Sequence, residues 1–140
     1  ATEKLVAGLN DLGWEVDDIT AYRTVRAAPP AAEIREAIKT GGFDAVVFTS
    51  SSTVRNLVGI AGKPHASTVI AAIGPETAAT ATEHGLKVAV QPAQAKIEPL
   101  AAALAEHGEQ LRQAARENGE RTWRPSKRRG AGRRRAAAKK

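Results

Sequence analysis

The sequence contains no cysteine, so disulfides, thiolate metal sites and cysteine nucleophiles are excluded and nothing calls for an oxidising compartment. No apolar run approaches the roughly 20 residues that span a bilayer, and the first residues lack the basic and hydrophobic segments of a signal peptide. The expectation is a cytoplasmic protein without a membrane partner. Nucleotide-binding fingerprints are missing too: Gly41-Gly42 precedes a strand-like run instead of following one, and no Gly-Lys-Ser/Thr occurs. Ser50, Ser51 and Ser52 lack the flanking glycines of a serine-hydrolase elbow. The three histidines show no metal-ligand spacing: His65 follows Pro64 in a loop, while His84 and His107 each precede a glycine at an expected helix C-terminus, where the dipole favours an imidazolium. No cofactor and no metal are expected.

Acidic residues are absent from residues 121–140, where the cations concentrate. The chain carries 21 Lys and Arg against 15 Asp and Glu, a net charge of +6. Ten of those cations lie between Arg121 and Lys140, where there is no acid, so residues before Arg121 carry a balance of −4. Basicity spread over a fold points to nucleic acid or a membrane surface; here it is confined to one end. In residues 121–140 Trp123 is the only large apolar side chain, and such a composition is expected to be a disordered basic tail. The tail reads either as a solvated appendage or as a nonspecific nucleic-acid binder acting by counterion release.

The other 120 residues are enough for one ordinary domain. Leu5, Leu9 and Leu12 recur at helical spacing and Gly13 follows as a stop. Trp14 to Tyr22, with Trp14, Val16 and Ile19 apolar, fits a strand with an irregular end. Arg23 to Pro30 reads as an extended connector, because Pro29 and Pro30 remove donors and bias their predecessors out of the helical region. Ala31 to Thr40 is a short amphipathic helix ended by Gly41-Gly42, and Ala45 to Phe48 is a strand buried on both faces. A helix capped by Ser51 or Ser52, with Val54, Leu57 and Val58 inward, comes next. Then follow strand Thr68 to Ile73, helix Pro75 to His84, strand Leu86 to Val90, and helix Lys96 to about Asn118. Alternation of this kind gives an α/β fold with a parallel sheet. Three strands fall short of the usual five or six, so part of the sheet is expected to lie outside this chain.

Ligands of such sheets bind beyond the carboxyl ends of the strands, where strand-to-helix turns present amides and a positive helix end. Two turns qualify: Phe48-Thr49-Ser50-Ser51-Ser52, rich in hydroxyls, and Ile73-Gly74-Pro75-Glu76-Thr77, where Gly74 permits close approach and Pro75 suits the first helical position. Either could cradle carboxylates or phosphates, and the same residue types serve equally as plain caps and turns. Tyr22, the single tyrosine, stands where the first strand-like segment gives way to the connector.

The series Gly13-x-x-Val16, Tyr22-x-Thr24, Phe43-Asp44-x-Val46-x-Phe48-Thr49-Ser50, Ile73-Gly74-Pro75-x-Thr77-Ala78 and Gly85-Leu86-x-Val88 resembles, in order and spacing, the C-terminal half of uroporphyrinogen-III synthases. The resemblance implies two flavodoxin-like lobes, each a parallel sheet with helices on both faces, in which the chain returns from the second lobe to the first. Residues 1–22 would then end the second lobe, 23–30 would be the interlobe linker, 31–108 would complete part of the first lobe, and 109–120 would be a helical extension before the tail at 121–140. The first half of the family fold has no counterpart here.

The resemblance further implies a cofactor-free cyclisation of hydroxymethylbilane, with loss of water and inversion of the last pyrrole ring. Tyr22 corresponds to the family's tyrosine at the cleft and would donate a proton or orient the substrate. Thr49, Ser50, Ser51, Gly74, Pro75 and Thr77 would bind substrate carboxylates. It also implies fusion to, or association with, a uroporphyrinogen methyltransferase, and an inactive state for this chain by itself. A competing expectation is a synthase-like regulatory or nucleic-acid-binding protein acting through the basic tail.

Overall fold

The computed structural model describes residues 2–128. Its elements are α1 (Glu3–Asp11), α2 (Ala32–Thr40), β1 (Ala45–Phe48), α3 (Ser51–Ala61), β2 (Val69–Ala72), α4 (Pro75–Glu83), β3 (Val88–Val90) and α5 (Ile97–Glu117). The three strands form a parallel sheet in the order β1-β2-β3. Ala45 pairs with Val69 and Phe48 with Ala72, while Ile70 pairs with Val88 across a register irregularity between Ile70 and Ala71. This α/β arrangement, a parallel sheet flanked by helices on both faces, is that of a flavodoxin-like fold.

Strand alternation divides the apolar residues between two cores. Phe48 and Ile70 meet Val54 of α3, Ala81 of α4 and Leu86, with Val46, Leu57, Val58 and Val88 around them. On the other face Ala71 and Val90 meet Leu100 of α5, joined by Val69, Ile73, Ala103 and Leu104. Because α5 packs over β2 and β3, it leaves the neighbouring part of β1 bare, and Val47 is 45% exposed. The expectation that Ala45 to Phe48 is buried on both faces therefore holds for one face only.

The loop before β1 explains a double glycine. Gly41 turns α2 off in the left-handed region with φ 78°, and the amide of Gly42 donates to the carbonyl of Ala37 at 2.7 Å. A Cβ on Gly42 would lie 2.9 Å from that of Ala37, and one on Gly41 would lie 2.8 Å from Ser67 Oγ. Neither position has room for a larger residue.

Four expectations are corrected. Residues 12–31 form neither helix nor strand; Trp14, Ile19 and Val25 are exposed, and residues 14–22 do not join the β1-β2-β3 sheet, whose ladder a strand there would need. The cap of α3 is Ser50, whose extended backbone and side-chain oxygen receive the Thr53 amide, and not Ser51 or Ser52. His107 and Gly108 lie inside α5, not at its end; Trp123 packs beside Gly108, 3.7 Å from where a Cβ would stand. Finally, residues 121–128 fold back on the sheet, with Pro125 buried, because Asp44 offers two carboxylate oxygens to Arg124 and Ser126. The rest of the expected tail, residues 129–140, lies outside the described residues.

Candidate functional site

The first strand-to-helix turn is built by the end of the ladder. The Ile73 amide donates to the Phe48 carbonyl at 3.0 Å, after which the chain leaves the sheet through Thr49 and Ser50. Ser50 Oγ accepts from the Thr53 amide at 3.3 Å and lies 3.0 Å from Ser52 Oγ, while Thr53 Oγ1 donates to the Ser50 carbonyl at 2.6 Å. Three hydroxyls are thus committed to shaping the turn. Thr49 is exposed at its tip. Ser51 reaches across and donates to the Glu76 carbonyl at 3.3 Å, tying the first turn to the second.

In the second turn Gly74 is buried and extended, and Pro75 opens α4 at a position where its missing N–H costs nothing. A Cβ on Gly74 would lie 3.3 Å from the Cβ of Ala95. That closeness brings in a third turn, residues 91–96, between β3 and α5. Thr77 is buried, 5% exposed, in the first turn of α4.

The first intrahelical bonds of α3 and α4 are Val54 N–H to Ser50 and Ala78 N–H to Gly74. The amides of Ser51, Ser52, Glu76 and Thr77 precede them or begin them, so these helix starts carry the donors that a helix leaves open. Helix N-termini meeting at one sheet edge, with hydroxyls between them, suit the carboxylates of an anionic ligand. Among the described residues no group of three His, Cys, Asp or Glu is arranged to hold a metal ion, and no helix is long and apolar enough to cross a membrane.

The structure brings Ser50, Ser51, Gly74, Pro75 and Thr77 to this edge, with Thr49 at the rim. It leaves Tyr22 on the irregular segment, 84% exposed. Sequence reasoning missed the third turn, with Gln91, Gln94 and the exposed Lys96 that precedes α5. The signal was present: a strand ending at Val90 and a helix opening near Lys96 must, in a parallel sheet, deliver their connection to the same edge. Lys96 is the exposed cation of this third turn.

A family model described as "Uroporphyrinogen-III synthase HemD" matches residues 1–102. A protein of Methanothermobacter thermautotrophicus, provisionally named uroporphyrinogen-III synthase, is 38% identical over 114 residues, which is 75% of this chain and 45% of the relative. The chain thus spans about half the length of the curated relative it matches. No solved structure matches.

Proposed function

This chain belongs to the uroporphyrinogen-III synthase family, and we propose that, joined to the portion its relative carries beyond it, it cyclises hydroxymethylbilane to uroporphyrinogen III. The observation that carries this reading is the tie between two helix starts, Ser51 Oγ to the Glu76 carbonyl at 3.3 Å, which aligns two anion-receiving turns on one edge. The substrate is a flexible linear tetrapyrrole lined with carboxylates. Spontaneous closure gives the uninverted isomer, so catalysis here is mainly control of geometry, with the chain curled and its ends held together.

In this reading the amides of α3 and α4, that of Ser51 among them, the hydroxyls of Thr49 and Thr77, and Lys96 hold substrate carboxylates, while the Ser51 hydroxyl keeps the two turns together. Gly74 and Pro75 shape the backbone that approaches them, and Ser50 fixes the first turn. Tyr22 assists departure of the terminal hydroxyl as a proton donor or an orienting group. The C–O bond breaks and water leaves. The resulting azafulvene carbon is attacked through a spiro intermediate, and the last ring is inverted before closure and proton loss. One molecule of water is lost overall, and no electron acceptor is required.

The substrate lies between two lobes in this proposal, so the present chain alone offers one wall and does not turn over. The protein acts in the cytoplasm, fused to or associated with a uroporphyrinogen methyltransferase. The test is consumption of hydroxymethylbilane by the full-length protein in the presence of a chelator and without nucleotide. Acceleration over the enzyme-free rate is expected; a rate equal to the spontaneous one would refute the reading.

A second reading is favoured by the segregation of charge: ten cations and no acid from Arg121 onward. In it the basic segment binds nucleic acid nonspecifically, beside or instead of catalysis.

A further inference from the structure

The family match ends at residue 102, and the chain beyond it does something the match does not account for. After α5 ends at Glu117, Gly119 turns with φ 64° and the Glu120 amide donates to the Ala115 carbonyl at 2.8 Å. The chain then runs back to the amino-terminal end of β1, the end opposite the candidate site. There the Asp44 carboxylate is clamped at both oxygens. Arg124 Nε donates to Oδ2 at 2.7 Å, with Nη2 paired to the same oxygen at 2.6 Å, and the Ser126 amide donates to Oδ1 at 2.9 Å. A second ion pair, Arg128 with Glu120, closes the loop on itself.

Between these anchors Trp123 and Pro125 wall a groove of about 480 Å³ against Val69, Leu104, Gly108 and Leu111. The cations of the segment are nevertheless accessible: the Arg124 side chain is 54% exposed. Arg121, Arg124, Lys127 and Arg128 flank the one aromatic residue of the segment, an alternation of charge and ring that suits a phosphate backbone and a stacked base. Arg124 turns on one Asp44 oxygen the guanidinium edge that a phosphate would also take.

We propose that residues 120–128 form a latch on the amino-terminal end of β1, and that phosphate polymers bind this basic segment in competition with the latch, because Arg124 serves either Asp44 or a phosphate. In the closed state Trp123 forms a wall of the groove; in the open state Trp123 and Arg124 face the polymer. Linkage makes the relation reciprocal: polymer binding opens the latch, and weakening the clamp from the Asp44 side, which leaves Arg124 free for phosphate, tightens the polymer. The inference does not depend on the synthase reading; it rests on the second reading, polymer binding by the basic segment, and adds the competition with Asp44.

The test uses the full-length protein with a short labelled oligodeoxythymidylate, titrated at several salt concentrations. Asp44→Asn is expected to tighten binding several-fold at every salt concentration, because Arg124 no longer has to leave Asp44. Glu106→Gln removes the same charge from an exposed position on α5 and should leave the affinity within twofold of the parent. Adding Arg124→Ala to Asp44→Asn should cancel the gain. Inorganic polyphosphate is the second arm: the same gain there assigns the competition to phosphate charge, a gain with the oligonucleotide alone assigns it to nucleic acid, and no gain with either overturns the proposal. Equal gains in Asp44→Asn and Glu106→Gln would also overturn it.

Latch closure is read separately by limited trypsin digestion. Arg124→Ala, at an exposed position that leaves the core intact, should speed cleavage after Arg121 and Lys127 about tenfold, since cleavage follows the open population. An unchanged rate would contradict the latch.

Discussion

Thr77→Val isolates one hydroxyl at the candidate site. The side chain is 5% exposed in the first turn of α4, and valine keeps its shape while removing its donor. A hydrogen bond to a charged group contributes about 1.5–3 kcal/mol. If the hydroxyl meets a substrate carboxylate, kcat/KM should fall roughly 10- to 150-fold. Stability should change by no more than about 1 kcal/mol, the scale of one neutral hydrogen bond. Thr80, one turn further along the same buried face and 6% exposed, supplies the control: Thr80→Val should leave the rate unchanged. The assay is substrate consumption by the full-length variants, with urea unfolding alongside. A Thr77→Val enzyme within threefold of the parent, or a Thr80→Val enzyme losing as much, would show that these threonines only pack.

Tyr22→Phe should leave the unfolding midpoint unaltered, because the ring is 84% exposed, and should lower kcat by about 10² if the phenol is a general acid; a rate within twofold of the parent would remove Tyr22 from the mechanism. Gly41→Ala should destabilise by about 1–2 kcal/mol from its left-handed backbone alone, with a further loss from a Cβ set 2.8 Å from Ser67 Oγ, read as a lower urea midpoint; an unchanged midpoint would mean that α2 ends differently. Burial pushes the Asp44 carboxyl up, but hydrogen bonds from Ser126 and Arg124 and the Arg124 charge outweigh it and hold it below its ordinary value. A depressed folded value means that the latch is fully present above the ordinary carboxylate range and is lost as pH falls through the lower one. The indole resonance of Trp123 should accordingly stay constant from neutrality down to that range and shift only below it. Asp44→Asn should abolish the shift; a shift retained in that variant would contradict the assignment and point to the other ionisable groups beside the segment, His107 and Glu109 in the groove wall and Glu120 in the Arg128 pair.

The parts of the fold legible in the sequence are those fixed by short-range chemistry. Ala45 to Phe48 is a strand at the limits its apolar run suggests, Gly41-Gly42 ends α2, and Pro75 opens α4. Strand alternation also brought the Ser50 and Gly74 turns to one edge, since parallel neighbours must share it. What was not legible depended on distant partners. Three consecutive serines offer three caps, and only the point where the β1 ladder stops decides for Ser50. Trp14 to Tyr22 has a strand's composition, yet a strand exists only with a neighbour to satisfy its backbone. Trp123 and Arg124 look like solvated tail until Asp44, 80 residues earlier, meets Arg124. Gly108 looked like a helix stop because the reason for it, the Trp123 ring beside it, comes from beyond the helix.

The most direct test of the central claim is the identity of the macrocycle. Purified full-length protein is given hydroxymethylbilane, the products are oxidised, and the isomers are separated by chromatography beside an enzyme-free control. The account predicts the type III isomer in large excess over the control; type I alone, at the control level, would contradict it.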